Sequence, residues 1–198
     1  MVITFQEQNY FKIQSGEQTI LIDPTNQRSM KGAGVVIHTS FSEKDVERPP
    51  SEEDSPIYIY HQGEYEIGGI HVRGWNTEHD GEMEKTMYSI TWDDITLGVL
   101  GGISKELDPK TLFALQEIDI LIVPAGGKPY LQQSSIAKYI RQIEPGIIIP
   151  SLYTDLKVFL KEVGGEDSKP EEKLTIKKKE IVDHAMKVVV LSPNLSGK

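Results

Sequence analysis

The chain has 198 residues, 38% hydrophobic and 26% charged, which suits one water-soluble globular domain with a substantial core. Its 30 Asp and Glu against 21 Lys and Arg give a formal charge of -9, which argues against a nucleic-acid-binding surface, because phosphate contact needs clustered cations. Cysteine is absent, so disulfides and thiolate chemistry are excluded, and His, Asp and Glu remain as the strong metal ligands, with five His available.

The N-terminal stretch MVITFQEQNY lacks a basic region followed by an apolar one and does not read as a signal peptide. No apolar run approaches the about 20 residues that span a bilayer. The expectation is a soluble, cytoplasmic protein without a membrane partner. The basic cluster Lys177-Lys178-Lys179 follows an acidic stretch from Glu166 to Glu172 and reads as a solvated charged face, with a recognition patch as the alternative.

In chain order the first half reads as strands: VITF, YFKIQ and QTILID, with Ser15-Gly16 as a turn, then GVVIHT. The polar, proline-containing segment SEKDVERPPSEEDSP reads as a loop. IYIYH, GEYEIGGIHVRGW, TMYSITW and ITLGVLG continue the strand series, with Asp93-Asp94 turning a hairpin between the last two.

The second half changes period. Asp108-Pro109 is a helix cap with proline at the first position, and the helix KTLFALQEI leads into the strand DILIVP. Ile136, Tyr139, Ile140 and Ile143 share one helix face, and that helix feeds the strand GIIIP through Glu144-Pro145. Leu156, Phe159, Leu160 and Val163 repeat the spacing, with Asp155 as cap and Gly164 as stop. GGEDSKPEEK reads as a mobile loop, and LTIKKKEI and MKVVVLSP as a closing pair of strands. No internal repeat is present. Two sheets with helices packed outside, in one layered α/β domain spanning residues 1–198, is the predicted architecture.

Seven segments, TILIDP (19–24), VVIHTSFSEKD (35–45), GEYEIGGIHVRG (63–74), TEHD (77–80), VLGGIS (99–104), IDILIVPAGG (118–127) and IEPGIIIPSLY (143–153), resemble the metallo-β-lactamase fold. They resemble most the branch of small metal-dependent hydrolases related to the L-ascorbate-6-phosphate lactonases. The resemblance implies a four-layer αββα sandwich with a metal site at one edge of the two sheets. It implies zinc or another divalent ion, held by imidazoles and carboxylates, that activates water and polarises a carbonyl or phosphoryl group. The family's ligands come from a Thr-His-x-His-x-Asp-His loop, a later His, an Asp in a Gly-Asp pair and a final His.

The residues depart from that pattern. Thr39 matches the loop's Thr, but its two first His positions fall on Ser40 and Ser42, its Asp on Lys44 and its last His on Asp45. The Gly-Asp pair reads Gly101-Gly102, the final His is Leu152, and Glu7-Gln8 stands for an early Gly-His. Only the later His matches, at His79. Hydroxyls are poor zinc ligands, Leu152 has no donor, and Lys44 brings a charge that repels a cation. The expectation is therefore no metal and no cofactor.

Residual signals remain. His79 could act as a lone base or as a ligand in a new site, oriented by Asp80, or could serve local hydrogen bonding. Ser40 or Ser42 could pair with His79 as nucleophile and base, although no nucleophile elbow is present. Lys44, Ser40 and Ser42 could hold an anion, or lie in a solvated loop. Asp23 is expected to support the Thr39 to Asp45 loop by hydrogen bonding. His61 and His71 read as surface or packing residues, and AGGKPY as a turn after a strand. Trp75 and Tyr153 would flank the old pocket as a binding surface or as core, and Leu152 and Phe41 could fill it. The function expected is a binding or interaction module that has lost metal and hydrolysis. The alternative is a metal-dependent hydrolase of an ester, lactone or phosphodiester, with a site rebuilt around His79, Asp80, Asp45 and Asp155 that holds one ion weakly. A third reading is a scaffold that forms homo-oligomers or engages a protein partner.

Overall fold

The computed structural model describes residues 1–25, 30, 32–42 and 56–194, the side chain of Asp80 excepted. Alternating apolar residues build the smaller sheet. Strands β1 (Val2–Glu7), β2 (Tyr10–Ser15) and β3 (Gln18–Ile22) form an antiparallel meander. Ile3, Phe5, Phe11, Ile13, Ile20 and Ile22 turn to one face and are buried there. Strand β4 (Val35–Ile37) lies parallel to β3. The chain then leaves this sheet through β5 (Ser40–Ser42) and returns as β6 (Ile57–Ile59), parallel to β4.

The larger sheet begins with two hairpins, of which the second is the one predicted from its Asp93-Asp94 turn. Strands β7 (Gly63–Ile67) and β8 (Ile70–Asp80) meet at Gly68-Gly69, and β9 (Met83–Trp92) and β10 (Ile95–Val99) meet at Asp93-Asp94, both aspartates at positive φ. Parallel strands β11 (Ile120–Pro124) and β12 (Ile147–Ser151) extend it beyond β10. Both are buried at every position and apolar at all but Ser151, as strands covered on both faces require.

Three helices are named among the described residues. In α1 (Pro109–Phe113) the Asp108 carboxylate accepts from the amides of Lys110 and Thr111, the predicted cap. The helix is shorter than its sequence pattern predicts. Glu117 enters the left-handed region, and the chain turns so that Leu115 and Ile118 reach the core. Helix α2 (Gln133–Ile143) buries Ile136, Tyr139, Ile140 and Ile143, and α3 (Lys157–Val163) ends on left-handed Gly164. Asp155 accepts from the Lys157 amide at 2.9 Å, which starts α3.

One apolar core fills the space between the sheets and draws on residues from Ile3 to Leu191. A second lies between the larger sheet and the helices, from Met87 to Val190. On the outer face of the smaller sheet, Tyr10, Leu21 and Val36 are covered by Ala33, Met30 and Tyr58. The fold class is thus mixed α/β with two sheets and helices, as the sequence resemblance implies.

Two expectations about the C-terminal part are corrected. The closing strands do not pair with each other: β13 (Leu174–Thr175) joins β1 in the smaller sheet, and β14 (Lys187–Val188) joins β12 in the larger. Nor is the stretch 164–173 free: the Ser168 hydroxyl donates to the Val188 carbonyl at 3.2 Å and the Glu171 amide to the Val190 carbonyl at 2.8 Å. In the basic cluster, Lys178 pairs with Asp119 at 2.6 Å, which anchors that turn to the larger sheet. No helix is long and apolar enough to cross a membrane among the described residues.

Candidate functional site

The sequence VVIHTSFS crosses from one sheet to the other. Strand β4 belongs to the smaller sheet, β5 pairs with β9 of the larger, and His38-Thr39 makes the crossing. Asp23, at the end of β3, holds that crossing. Its carboxylate accepts from the Thr39 amide at 2.7 Å, the Thr39 hydroxyl at 2.5 Å and the Asn9 side-chain amide at 2.6 Å. Burial pushes the Asp23 pKa above the ordinary carboxylate value, against the pull of these donors and of His38. Burial likewise pushes the His38 imidazole below its ordinary value, against the attraction of Asp23. The Thr39 carbonyl accepts from the Thr86 amide at 2.9 Å. Gly101 packs on Thr39 so closely that a Cβ would lie 2.6 Å from the Thr39 Cβ, and its φ is +61°. Only glycine fits there.

Beyond Thr39 the stretch is a strand. Ser40, Phe41 and Ser42 pair with Lys85, Glu84 and Met83, and His79 pairs with the same Glu84 from the other side. Directly paired residues share a face, so Phe41, Glu84 and His79 lie on one face and the two serines on the other. Neither Ser40 nor Ser42 is brought to His79, which removes the nucleophile-base pairing. Phe41 is buried against Tyr60 and His61, with ring centroids 4.8 Å and 4.7 Å away, and so fills that corner rather than a pocket beside Leu152. Lys44 and Asp45 lie outside the described residues, and with them the anion cradle.

His79 is turned to solvent, with its side chain 63% exposed and its Nδ1 3.7 Å from Glu84 Oε1. His61 takes the other oxygen of Glu84 at 3.0 Å. His71 stands 4.0 Å from Glu66 at the β7–β8 edge. Asp80 ends β8 opposite Met83. The cause of the His79 orientation is a bulge between Asn76 and Glu78. One extra residue there reverses the alternation, so Glu78 takes the helix-side face that His79 would otherwise occupy.

Glu78 is the buried acid of this region, its side chain 3% exposed. It accepts from the Ser104 amide, from the Lys105 amide at 2.9 Å, from the Ser104 hydroxyl at 2.6 Å and from Lys85 Nζ at 3.1 Å. Burial pushes the Glu78 pKa up, but these donors outweigh it and bring it down to about 2. Glu78, Lys85 and Ser104 were not legible as a set; a glutamate beside the matching histidine carries no signal without the bulge.

Gly102 and Leu152 complete the region. A Cβ at Gly102 would lie 3.1 Å from Tyr130 Cε1 and 3.7 Å from Leu152 Cδ1. Leu152 holds a left-handed backbone at φ +52°, its amide donating to the Gln8 carbonyl at 2.8 Å. A leucine in that conformation is strained. Beside them Ser104, Lys128, Tyr130, Leu131 and Gln132 line an open cavity of about 610 Å3. Trp75 packs into the helix-side core with Arg73 over its ring at 5.1 Å, and Tyr153 stacks on Phe5, so both aromatics are packing residues.

A divalent ion needs three or four protein donors that converge. Among the described residues no three His, Asp or Glu side chains do so. At the matched positions stand two hydroxyls, a glycine against an aromatic ring, a leucine and an outward histidine. The described residues do not fit a metal.

No curated protein matches the chain. Among solved structures, a Thermotoga maritima protein named as a Zn-dependent hydrolase of the metallo-beta-lactamase superfamily is similar over 96% of this chain and 97% of its own, at 21% identity and a TM-score of 0.72. The metallo-beta-lactamase fold protein YhfI from Bacillus subtilis is similar over 96% and 95%, at 11% identity and 0.67. Igni18, a metallo hydrolase from Ignicoccus hospitalis, is similar over 97% and 95%, at 15% identity and 0.66. At these identities the likeness concerns the fold. The beta-lactamase superfamily domain itself matches residues 2–151, and the chain belongs to that superfamily.

Proposed function

We propose that this beta-lactamase-superfamily protein has lost its metal site and its hydrolytic activity and acts as a binding or interaction module. The observation that carries the reading is the set Gly102, Tyr130 and Leu152: where the family resemblance requires a carboxylate and an imidazole, an aromatic ring and an aliphatic side chain occupy the space. The outward turn of His79 supports it further. The strained backbone kept at Leu152, without a donor on its side chain, is what a site leaves when its chemistry is replaced. The nearest branch by sequence motifs is that of the L-ascorbate-6-phosphate lactonases. A core reaching from Ile3 to Leu191 supports one domain over residues 1–198.

The test is turnover. The protein is assayed with added zinc or manganese against ester, lactone and phosphodiester substrates. The reading predicts none above the metal-only blank. Turnover that a chelator abolishes and that His79→Ala removes contradicts it, and establishes a rebuilt hydrolase instead. A partner copy is tested by sedimentation, where a concentration-independent monomer removes the oligomeric scaffold.

A further inference from the structure

We infer that Glu78, Lys85 and Ser104 form an internal crosslink that fixes the wall of the cavity beside the former metal positions, doing without an ion the tying together of strands that a shared metal performs. The inference rests on the metal-free reading above for its comparison with a metal, and on geometry for the rest. Three separate segments meet at one carboxylate: β8 through Glu78, β9 through Lys85, and the segment after β10 through Ser104 and Lys105. Oε1 receives the two amides, and Oε2 receives the hydroxyl and the ammonium. A fifth contact, Lys85 Nζ to the Ser104 hydroxyl at 3.1 Å, closes the triangle.

Both charges are thereby paired and hydrogen-bonded, the condition under which a buried ion pair persists. Four donors on one buried acceptor exceed what local folding of any one strand needs. The same segment is tied again two residues on. Glu106 accepts from Ser135 at 2.7 Å and from the Tyr139 hydroxyl, while the Leu107 amide donates to that hydroxyl at 2.8 Å. Residues 104–107 are therefore clamped between the sheet and α2. Ser104 faces the cavity lined by Lys128, Tyr130 and Gln132, so the clamp sets the shape of that cavity.

A catalytic reading of Ser104 with Lys85 does not compete. The hydroxyl already gives its proton to Glu78, and Lys85 is the cation of the ion pair rather than a free base.

The experiment is residue-resolved amide hydrogen exchange on the full chain, comparing the natural protein with and without EDTA, Glu78→Ala and Lys85→Met. Exchange at the Ser104 and Lys105 amides is expected to rise at least about tenfold in Glu78→Ala, which removes their acceptor, and less in Lys85→Met, with Ile122 in β11 unchanged. EDTA is expected to change nothing. Unchanged protection of both amides in Glu78→Ala overturns the crosslink. If Glu78→Ala does not fold, unchanged protection in Lys85→Met overturns it equally. Loss of protection on adding EDTA to the natural protein overturns the metal-free reading instead, whatever the variants do.

Discussion

The Tyr130 ring lies against Gly102 so closely that any side chain there meets it, with a Cβ 3.1 Å from Tyr130 Cε1. Restoring the family's carboxylate therefore overpacks the region before it can bind anything. Gly102→Asp is expected to lower stability by about 1–3 kcal/mol in urea unfolding. Tyr130→Ala in the same chain recovers part of the loss, because the two side chains compete for one space. Strict additivity of the two changes contradicts this contact.

Asp23 holds the crossing between the sheets through Thr39 and Asn9. Asp23→Ala leaves three donors without their acceptor, and a loss of about 1–3 kcal/mol is expected. Asp23→Asn keeps one accepting oxygen and is expected to lose less. Urea midpoints of the two variants decide this. Equal stability of Asp23→Ala and the natural protein contradicts it.

His38 is held neutral by burial, its pKa below the ordinary 6.5. At this group the unfolded chain thus binds a proton more readily than the folded one, and its contribution to stability falls as pH drops below 6.5. Above 6.5 this group contributes no slope. Asp23 acts in the opposite sense, because its raised pKa makes the folded state the better proton binder above 3.8. His38→Phe keeps the ring that stacks on Tyr60 and removes the titration. Unfolding midpoints between about pH 5 and pH 8 are expected to fall toward acid in the natural protein more steeply than in His38→Phe. Parallel profiles contradict it.

His79 is the one residue that matches the family's ligands, yet it faces water beside Glu84. His79→Ala is expected to change stability by less than about 0.5 kcal/mol. A larger loss in thermal or urea unfolding shows that His79 serves the structure in a way its exposure does not explain.

Much of the fold was legible because its signals are local. The Asp93-Asp94 turn, the Asp108-Pro109 cap and the face of Ile136, Tyr139, Ile140 and Ile143 depend on neighbours in sequence. The partners of the last strands were not, because β13 and β14 are two residues each and find different sheets through contacts over the whole chain. Asp23 was expected to support the Thr39 to Asp45 loop, and its carboxylate lies within hydrogen-bond distance of the Thr39 amide and hydroxyl, at the start of that stretch. Glu78 escaped notice for one reason. The bulge at Asn76 to Glu78 shifts the alternation by one residue, and no residue type in NTEHD announces it. Tyr130 escaped similarly, since it reaches Gly102 from a loop distant in sequence.

Loss of the metal site is tested directly by metal content, measured by plasma mass spectrometry on protein purified without chelator or His tag. Less than about a tenth of an equivalent of zinc, iron or manganese is expected. Close to one equivalent contradicts it, because the described residues then cannot be the whole ligand set.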